Sequence, residues 1–425
     1  MPVLTRLTIG YRGWGEAWSL GTLVDLKGRL LFEYSAQAID RALAFSPLRV
    51  PLPRPGAAQA AYSGPRHFHG LPGFIADSLP DGWGMLLMDR ALRKARRDPH
   101  TVSVLERLAI VGGSAIGAYV FEPADPLEAN QSGLLDVAVL AREIQALQSD
   151  DEEHSGPEQL ARLLRLGGSP QGARPKALLR WQREAGRFAP DDSGPIAGAP
   201  WLFKFPGQGE HAEVCALEVF YARLAHAGGM DMPEAVHLPL DKGHAAFGVH
   251  RFDRATLAKG EEVRVPVLSL AALLDADHRL PALDYETLLL ATARLTGDYR
   301  ETLKAFGRCV FNVLTHNRDD HAKNFAFRME PDGRWRLSPA FDLSFSHGPG
   351  GQHSTSVAGE GLAPGRVQLM QVAQRGGVKT RDAHACIEHW REVLRPQPQL
   401  LQDLPVRQAT LKRMRTVLTQ VWERF

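Results

Sequence analysis

The run Asn317-Arg318-Asp319-Asp320-His321-Ala322-Lys323-Asn324 sets an aspartate five positions ahead of an asparagine in a polar, turn-like stretch. Phosphoryl transfer calls for such a pair. The carboxylate of Asp319 can orient and deprotonate an attacking hydroxyl, while the amide oxygen of Asn324 can hold magnesium against phosphates. Both residue types are also ordinary in loops, so the spacing alone is no more than suggestive.

The residues that follow add a second oxygen ligand. Phe325-Ala326-Phe327 and Arg334-Trp335-Arg336-Leu337 are short β-prone runs separated by the turn signal Pro331-Asp332-Gly333, which predicts a β-hairpin. A hairpin returns to where it began, so Ser338 to Ser344 should lie beside Asn324 and bring in Asp342. Magnesium favours such carboxylate and carbonyl oxygens and completes its shell with water and substrate phosphate. The alternative for Asp342 is a solvated turn carboxylate.

Upstream elements supply candidates for holding a nucleotide. Gly167-Gly168-Ser169-Pro170-Gln171-Gly172-Ala173-Arg174-Pro175-Lys176 precedes an apolar run; its small residues let backbone amides approach phosphates, and its cations add charge. It is neither a Walker sequence nor G-x-G-x-x-G, and a simple turn is the competing reading. Trp201 to Phe205 reads as a strand whose one charged residue, Lys204, either grips phosphates or snorkels from the sheet. Ala212 to Gly228 has helical periodicity, with Glu218 either on a solvated face or paired with Lys204. Phe247 to Arg254 reads as a strand with a polar exit, placed where a hinge backbone could meet adenine; Arg251 and Asp253 there could equally form surface ion pairs. The order is Gly-rich loop, strand lysine, helix glutamate, hinge, catalytic loop, hairpin, metal aspartate, the order found in protein kinases.

At 425 residues with 44% hydrophobic content, the chain suggests two or three domains. Its 50 basic and 48 acidic side chains leave a net charge of +2, so no global field argues for nucleic acid or a membrane surface. Cys215, Cys309 and Cys386 have neither disulfide-framework nor metal spacing, which points to a reducing, cytoplasmic compartment. No signal peptide or long apolar span is expected. A hairpin is expected from Leu20–Val24 and Arg29–Tyr34 around Asp25-Leu26-Lys27-Gly28, and a helix from Trp83 to Arg97 on Met85, Met88 and Leu92. The cations closing that helix, Arg90 to Arg97, complement its dipole rather than mark a nucleic-acid patch. Linkers are expected at Pro123–Gly133 and Asp150–Glu153, and a loop over Pro190–Pro200. The chain turns mostly helical beyond about Leu280, with a mobile Gly-, His- and Ser-rich loop from His347 to Gly365.

Taken together, these residues resemble the HipA family, the serine/threonine kinase toxins of bacterial type II toxin–antitoxin systems. The resemblance rests on Asp77-Ser78-Leu79-Pro80-Asp81-Gly82-Trp83-Gly84, on Val111 to Gly117 before Ala118 to Phe121, and on the Gly-rich loop. It rests also on Arg251-Phe252-Asp253-Arg254, Asp319 to Phe325 and Pro339 to Leu343. It implies an α+β, protein-kinase-like two-lobed fold: a β-rich N-terminal module (1–125), a small lobe with phosphate loop and hinge (135–255) and a helical large lobe with the catalytic loop (256–425). It implies Asp319 as catalytic base, Asn324 and Asp342 as magnesium ligands, and an ion pair at Glu218. ATP would meet Gln171 to Lys176, Lys204, His250, Arg251, Phe252, His321, Ala322, Lys323, Asn324, Phe341 and Asp342. His250 stands where relatives can carry glutamate, and Pro170 and Arg174-Pro175 depart from the best-known loop pattern. Ser169 matches a self-phosphorylated serine. The implied partners are a DNA-binding antitoxin, operator DNA through it, and a protein substrate among translation components such as an aminoacyl-tRNA synthetase. A non-catalytic nucleotide-binding co-repressor and a small-molecule kinase are the rival readings. The intact set Lys204, Asp319, Asn324 and Asp342 argues against the first.

Overall fold

The computed structural model describes residues 4–54, 59–125, 134–148, 156–167, 171–194, 197–280, 283–395 and 398–425. Ser169 and most of the two expected linkers lie outside them. The chain forms two compact units, one of Met1–Ala212 with Leu238–Val267 and one of Glu213–His237 with Leu268–Phe425.

The first unit opens with strands β1 (Arg6–Tyr11), β2 (Trp18–Leu26) and β3 (Arg29–Tyr34). With β4 (Tyr119–Glu122) they make an antiparallel sheet of order β3-β2-β1-β4. The expected hairpin forms with Leu26 opposite Arg29. Its two turn residues, Lys27 and Gly28, both take positive φ, 54° and 82°, the turn geometry whose twist matches the flanking strands. Period-two alternation sends Leu7, Ile9 and Tyr11 inward, where they join Leu23, Phe32 and Phe121. Phe45 and Phe74 close over Tyr119 at ring-centroid distances of 5.9 and 5.7 Å.

Four helices follow within this module: α1 (Ala36–Arg41), α2 (Gly73–Ala76), α3 (Gly82–Lys94) and α4 (Val104–Val111). The buried stripe of α3 is Trp83, Leu87, Met88 and Ala91, a four-residue recurrence, with Met85 at its edge. A capping box between Ser103 and Glu106 starts α4. Beyond the end of α3, Arg97 pairs with Glu106 at 3.3 Å and Asp125 at 2.7 Å, so this member of the basic run is tied to its own module. Helices α5 (Val137–Gln148) and α6 (Pro157–Gly167) come next, and α6 packs on α3.

Strands β5 (Lys176–Gln182), β6 (Arg187–Pro190), β7 (Ala199–Lys204), β8 (Ala235–Pro239) and β9 (Ala245–His250) form a second sheet. Its order is β6-β5-β7-β9-β8, and the edge strand β8 carries the chain back into the unit at Leu238. Trp181, Phe188, Trp201 and Phe203 cover one face, with Trp181 stacked on Phe188 at 5.5 Å. A short ribbon of β10 (Arg254–Thr256) and β11 (Glu262–Arg264) follows.

The second unit is mainly helical, as expected. It holds α7 (Glu213–Ala227), α8 (Leu270–Leu274), α9 (Tyr285–Thr296) and α10 (Tyr299–Thr315), then α11 (Arg366–Arg375), α12 (Thr380–Val393) and α13 (Gln408–Trp422). The central helix is α10, with Phe306, Val310, Phe311 and Leu314 buried and α9, α12 and α13 packed around it. Asp284 and Asp298 cap the starts of α9 and α10, and Gly297 in the left-handed region separates them. Strands β12 (Val267–Ser269), β13 (Ala326–Met329) and β14 (Trp335–Leu337) form the small sheet of this unit. Cys215, Cys309 and Cys386 are free thiols. Among the described residues no helix is long and apolar enough to cross a membrane.

Candidate active site

Helix α10 delivers the polar run. His316 ends the helix in the left-handed region, φ 56°, and Tyr221 on α7 donates to the carbonyl of Thr315 at 2.5 Å. Asn317 folds back onto the helix: its N–H donates to the Asn312 carbonyl at 2.9 Å and its Nδ2 to Asn312 Oδ1 at 3.0 Å. Asp319 then stands out, its side chain 56% exposed, with His321 Nε2 4.0 Å from its carboxylate. A short turn over Ala322–Asn324 leads into β13. Within it Asn324 Nδ2 donates to the Asp319 carbonyl at 2.6 Å, which closes the loop and turns the amide oxygen away from that carbonyl.

The hairpin pairs Phe327 with Leu337 and Met329 with Trp335. It returns the chain as expected: Asn324, Phe341 and Asp342 line one narrow cleft, together with the buried Asn317, Asp320 and Arg308. Asp342 has φ 57°, a backbone region that aspartate tolerates better than most residues and that recurs at functional sites. Two polar atoms of this cleft, Arg308 Nη1 and Asn317 Oδ1, are buried without a hydrogen-bond partner. Burial pulls the Arg308 guanidinium down to about 10, against the opposing carboxylates of Asp231 and Glu301, so it stays cationic at neutral pH. The oxygens of Asn324 and Asp342 suit a hard cation. Among the described residues no group of three His, Cys, Asp or Glu side chains could hold a metal, so magnesium here would lean on phosphate and water for its remaining ligands.

The nucleotide-loop candidates belong to the first unit. Lys176 and Lys204 face each other across β5 and β7, which puts two buried ammonium groups on one face of the sheet. Lys176 Nζ donates to the Gln171 carbonyl, and Lys204 Nζ lies 5.4 Å from the Phe247 ring. Arg174 is held by Glu210 at 2.8 Å, and the Pro175 carbonyl accepts from Phe205 N at 2.9 Å. The loop docks on the 77–84 turn: Gln171 Nε2 donates to the carbonyls of Asp77 and Leu79, Gly172 N donates to Asp81, and Trp83 N donates to the Gly172 carbonyl at 3.1 Å. Asp81 sits at the N-cap of α3 yet makes no capping bond there; its carboxylate serves the loop. Ala173 completes this loop. Glu218 is buried on α7, in the second unit, whereas Lys204 is in the first.

At the hinge, His250 ends β9 with its ring 5.6 Å from Trp201. The amide of Arg251 donates to the Pro200 carbonyl at 3.0 Å, so an adenine contact at this residue would use its carbonyl. The side chains of Arg251 and Asp253 form no surface pair: both are buried. Asp253 accepts from Arg251 at 2.9 and 2.7 Å, from Arg254 at 2.6 Å and from the Gly117 amide at 2.9 Å. Burial alone would raise the Asp253 carboxyl, but Arg251 and Arg254 overcome it and hold it well below the usual range. Phe252, between them, is half-buried.

One expectation fails. The 347–365 segment reads as mobile from its composition, yet His353, Thr355 and Val357 are buried. The reason is Asp320, a carboxylate that lies outside the Asp319–Asn324 pair. Its Oδ2 accepts from Tyr285 Oη at 2.6 Å and His353 Nδ1 at 2.7 Å, and its Oδ1 accepts from the Ser354 amide at 2.8 Å. The nearest sequence signal for this was the doubled aspartate itself.

Comparison with known proteins adds to this geometry. The HipA-like C-terminal domain family matches residues 168–397, and the HipA N-terminal domain family matches residues 14–122. A relative from Sinorhizobium fredii (strain NBRC 101917 / NGR234), described as "Putative kinase Y4dM", is 30% identical over 162 residues, 34% of this chain. The match spans only 37% of that relative's length. Among solved structures, HipA of Shewanella oneidensis MR-1, in complex with HipB and operator DNA, superposes with a TM-score of 0.70 at 17% identity. That match covers 98% of this chain and 96% of that one. The likeness in fold agrees with the mixed α+β architecture expected from the sequence.

Proposed function

This chain belongs to the HipA family, and from that premise we propose that it is an ATP- and magnesium-dependent serine/threonine protein kinase acting as a toxin. The observation that carries the reading is the shared cleft of Asn324 and Asp342 next to the exposed Asp319, built by a hairpin that begins at one and ends at the other.

In this reading Asp319 accepts the proton of an acceptor hydroxyl as its oxygen attacks the γ-phosphorus. The bond from that phosphorus to the β-γ bridging oxygen breaks, and ADP leaves. Asn324, oriented by the Asp319 carbonyl, and Asp342 would hold magnesium, whose charge would offset that of the phosphates. Lys204 and the 171–176 loop hold the triphosphate, and the backbone at 250–252 takes the adenine. His321, Ala322, Lys323 and Phe341 complete the nucleotide surround, and Glu218 serves as an ion-pair partner. The three-part division at 1–125, 135–255 and 256–425 belongs to the same proposal. So do a cytoplasmic setting, a translation component such as an aminoacyl-tRNA synthetase as substrate, and a DNA-binding antitoxin that takes the complex to operator DNA. The HipB and operator DNA bound to the Shewanella HipA support the last.

Ser169 is proposed as a self-phosphorylation site that switches the kinase off. A phosphate adds about −1.5 to −2 charges next to the loop that cradles another polyanion. Asp319→Asn should keep ATP binding and lose roughly 10²- to 10⁴-fold in rate, the range for a positioned general base. Mass spectrometry after incubation with magnesium and ATP should find phosphate on Ser169 in the wild type and little in this variant. Phosphotransfer at the wild-type rate by Asp319→Asn would remove the base from the mechanism.

A further inference from the structure

Asp320 is neighbour to the proposed base but, unlike it, is buried, among the residues that line the cleft of Asn324 and Asp342. Its side chain has no exposed area, and both oxygens are filled from outside the catalytic loop. Tyr285 on α9 and His353 share Oδ2, at 2.6 and 2.7 Å. The amides of Ser354 and Thr355 donate to Oδ1 at 2.8 and 3.3 Å, and Thr355 Oγ1 returns to the Asp320 carbonyl at 2.5 Å. A carboxylate only accepts, so His353 carries its proton on Nδ1. Tyr285 Oη in turn accepts from Asn312 Nδ2 at 2.9 Å, and Asn312 Oδ1 accepts from Asn317 at 3.0 Å, so the chain of bonds returns to the start of the catalytic loop. Arg318, on the other side of Asp319, donates to the carbonyls of Gly351 and Leu362, the latter at 2.5 Å. Asp319 is thus the exposed residue between two that are anchored in the 351–362 segment.

We propose that Asp320 and His353 are positioning residues: they fasten the 351–357 segment to the catalytic loop, and this fastening fixes the place of Asp319. Each residue of the loop has two soft dihedrals, and a carboxylate with four donors leaves those around 320 no freedom. Misplacement of a reacting group by about 1 Å costs on the order of 10²-fold in rate. This positioning role rests on the kinase reading of Asp319.

The test compares wild type, His353→Leu and His353→Asn in the full chain. The asparagine keeps an N–H within reach of the Nδ1 position. ADP release with magnesium, ATP and a serine/threonine acceptor peptide library gives kcat and KM, calorimetry with magnesium and ADP gives the binding stoichiometry, and amide hydrogen exchange reads residues 319–324. His353→Leu should lower kcat by roughly 10- to 100-fold, leave the KM for ATP within about twofold, keep full stoichiometry and speed exchange at 319–324. His353→Asn should recover most of the rate, and His353→Leu should add no further loss in an Asp319→Asn background. Tyr285→Phe, which removes a hydroxyl and leaves the ring, replaces His353→Leu if that variant does not fold. Wild-type kcat in His353→Leu, or equal losses in the leucine and asparagine variants, would overturn the proposal. A wild type that neither releases ADP nor transfers phosphate would sink the kinase reading instead. The exchange arm then decides the coupling by itself, and unchanged exchange at 319–324 refutes it.

Discussion

Two adjacent aspartates with opposite fates set the chemistry of the catalytic loop. Asp319 is over half exposed and Asp320 has no exposed side chain, because only Asp320 meets the amides of Ser354 and Thr355 and the His353 ring. A third aspartate, Asp342, comes from the far end of the hairpin and faces the cleft on a left-handed backbone. Removing its carboxylate should weaken magnesium-dependent nucleotide binding, since the protein offers the metal few ligands. Asp342→Ala is expected to bind ATP at least tenfold more weakly with magnesium while binding it equally without, as titration calorimetry in both conditions would read. Equal affinities with magnesium would show that Asp342 is not the ligand.

At the scale of elements, the turn Asp77 to Trp83 and the 171–176 loop act as one piece. Gly82 has φ 40°, and a Cβ there would sit 2.6 Å from the Gly172 carbonyl oxygen and 2.7 Å from Ala173 Cα, backbone atoms that cannot swing aside. Gly82→Ala must therefore displace the loop, and Asp81→Ala removes the carboxylate that the Gly172 amide meets. Both variants should raise the KM for ATP, by roughly tenfold if one loop hydrogen bond of about 1.5 kcal/mol is lost. Steady-state kinetics would check this, and unchanged KM values would separate the turn from nucleotide binding. The same reasoning accounts for the Asp253 cluster, which fastens the hinge to Gly117 through a buried carboxylate. Removing Asp253 would leave Arg251 and Arg254 buried with Asp191 as their shared carboxylate, so the cost should stay below the roughly 3 to 5 kcal/mol of a buried charge left wholly unpaired.

At the scale of the whole molecule, chain segments far apart in sequence are tied by buried charge. Glu213, at the start of α7, accepts from Arg407 N at 2.9 Å and Thr410 Oγ1 at 2.8 Å, so its carboxylate caps α13 nearly two hundred residues later. Burial would raise this carboxyl, yet the bonds from Arg407 and Thr410 bring it from 4.5 to about 2. A depressed carboxyl stabilises the folded state above its unfolded value and loses that contribution as pH falls through the folded one. Acidification from about pH 5 to 2 should thus cost the wild type about 1 to 3 kcal/mol that Glu213→Gln, already less stable at neutral pH, does not lose. Urea unfolding of both proteins across that range would check it. Parallel pH dependence would show that Glu213 is not responsible.

Local pattern was enough for the elements that make the catalytic cleft. Alternating apolar residues around a turn signal determine a hairpin, a hairpin must return, and so the sequence by itself places Asp342 beside Asn324. The recurrence of Val214, Leu217, Tyr221 and Leu224 likewise determines α7, and the Lys27-Gly28 turn determines its hairpin. What only the tertiary structure decided are pairings across long separations: Asp81 with Gly172, Gly117 with Asp253, and Asp320 with His353. Periodicity carries no information about which distant amide a carboxylate will meet. For the same reason the 347–365 segment reads as mobile: composition reports what a segment can bury alone, whereas His353 and Thr355 are buried by a partner that lies more than thirty residues upstream.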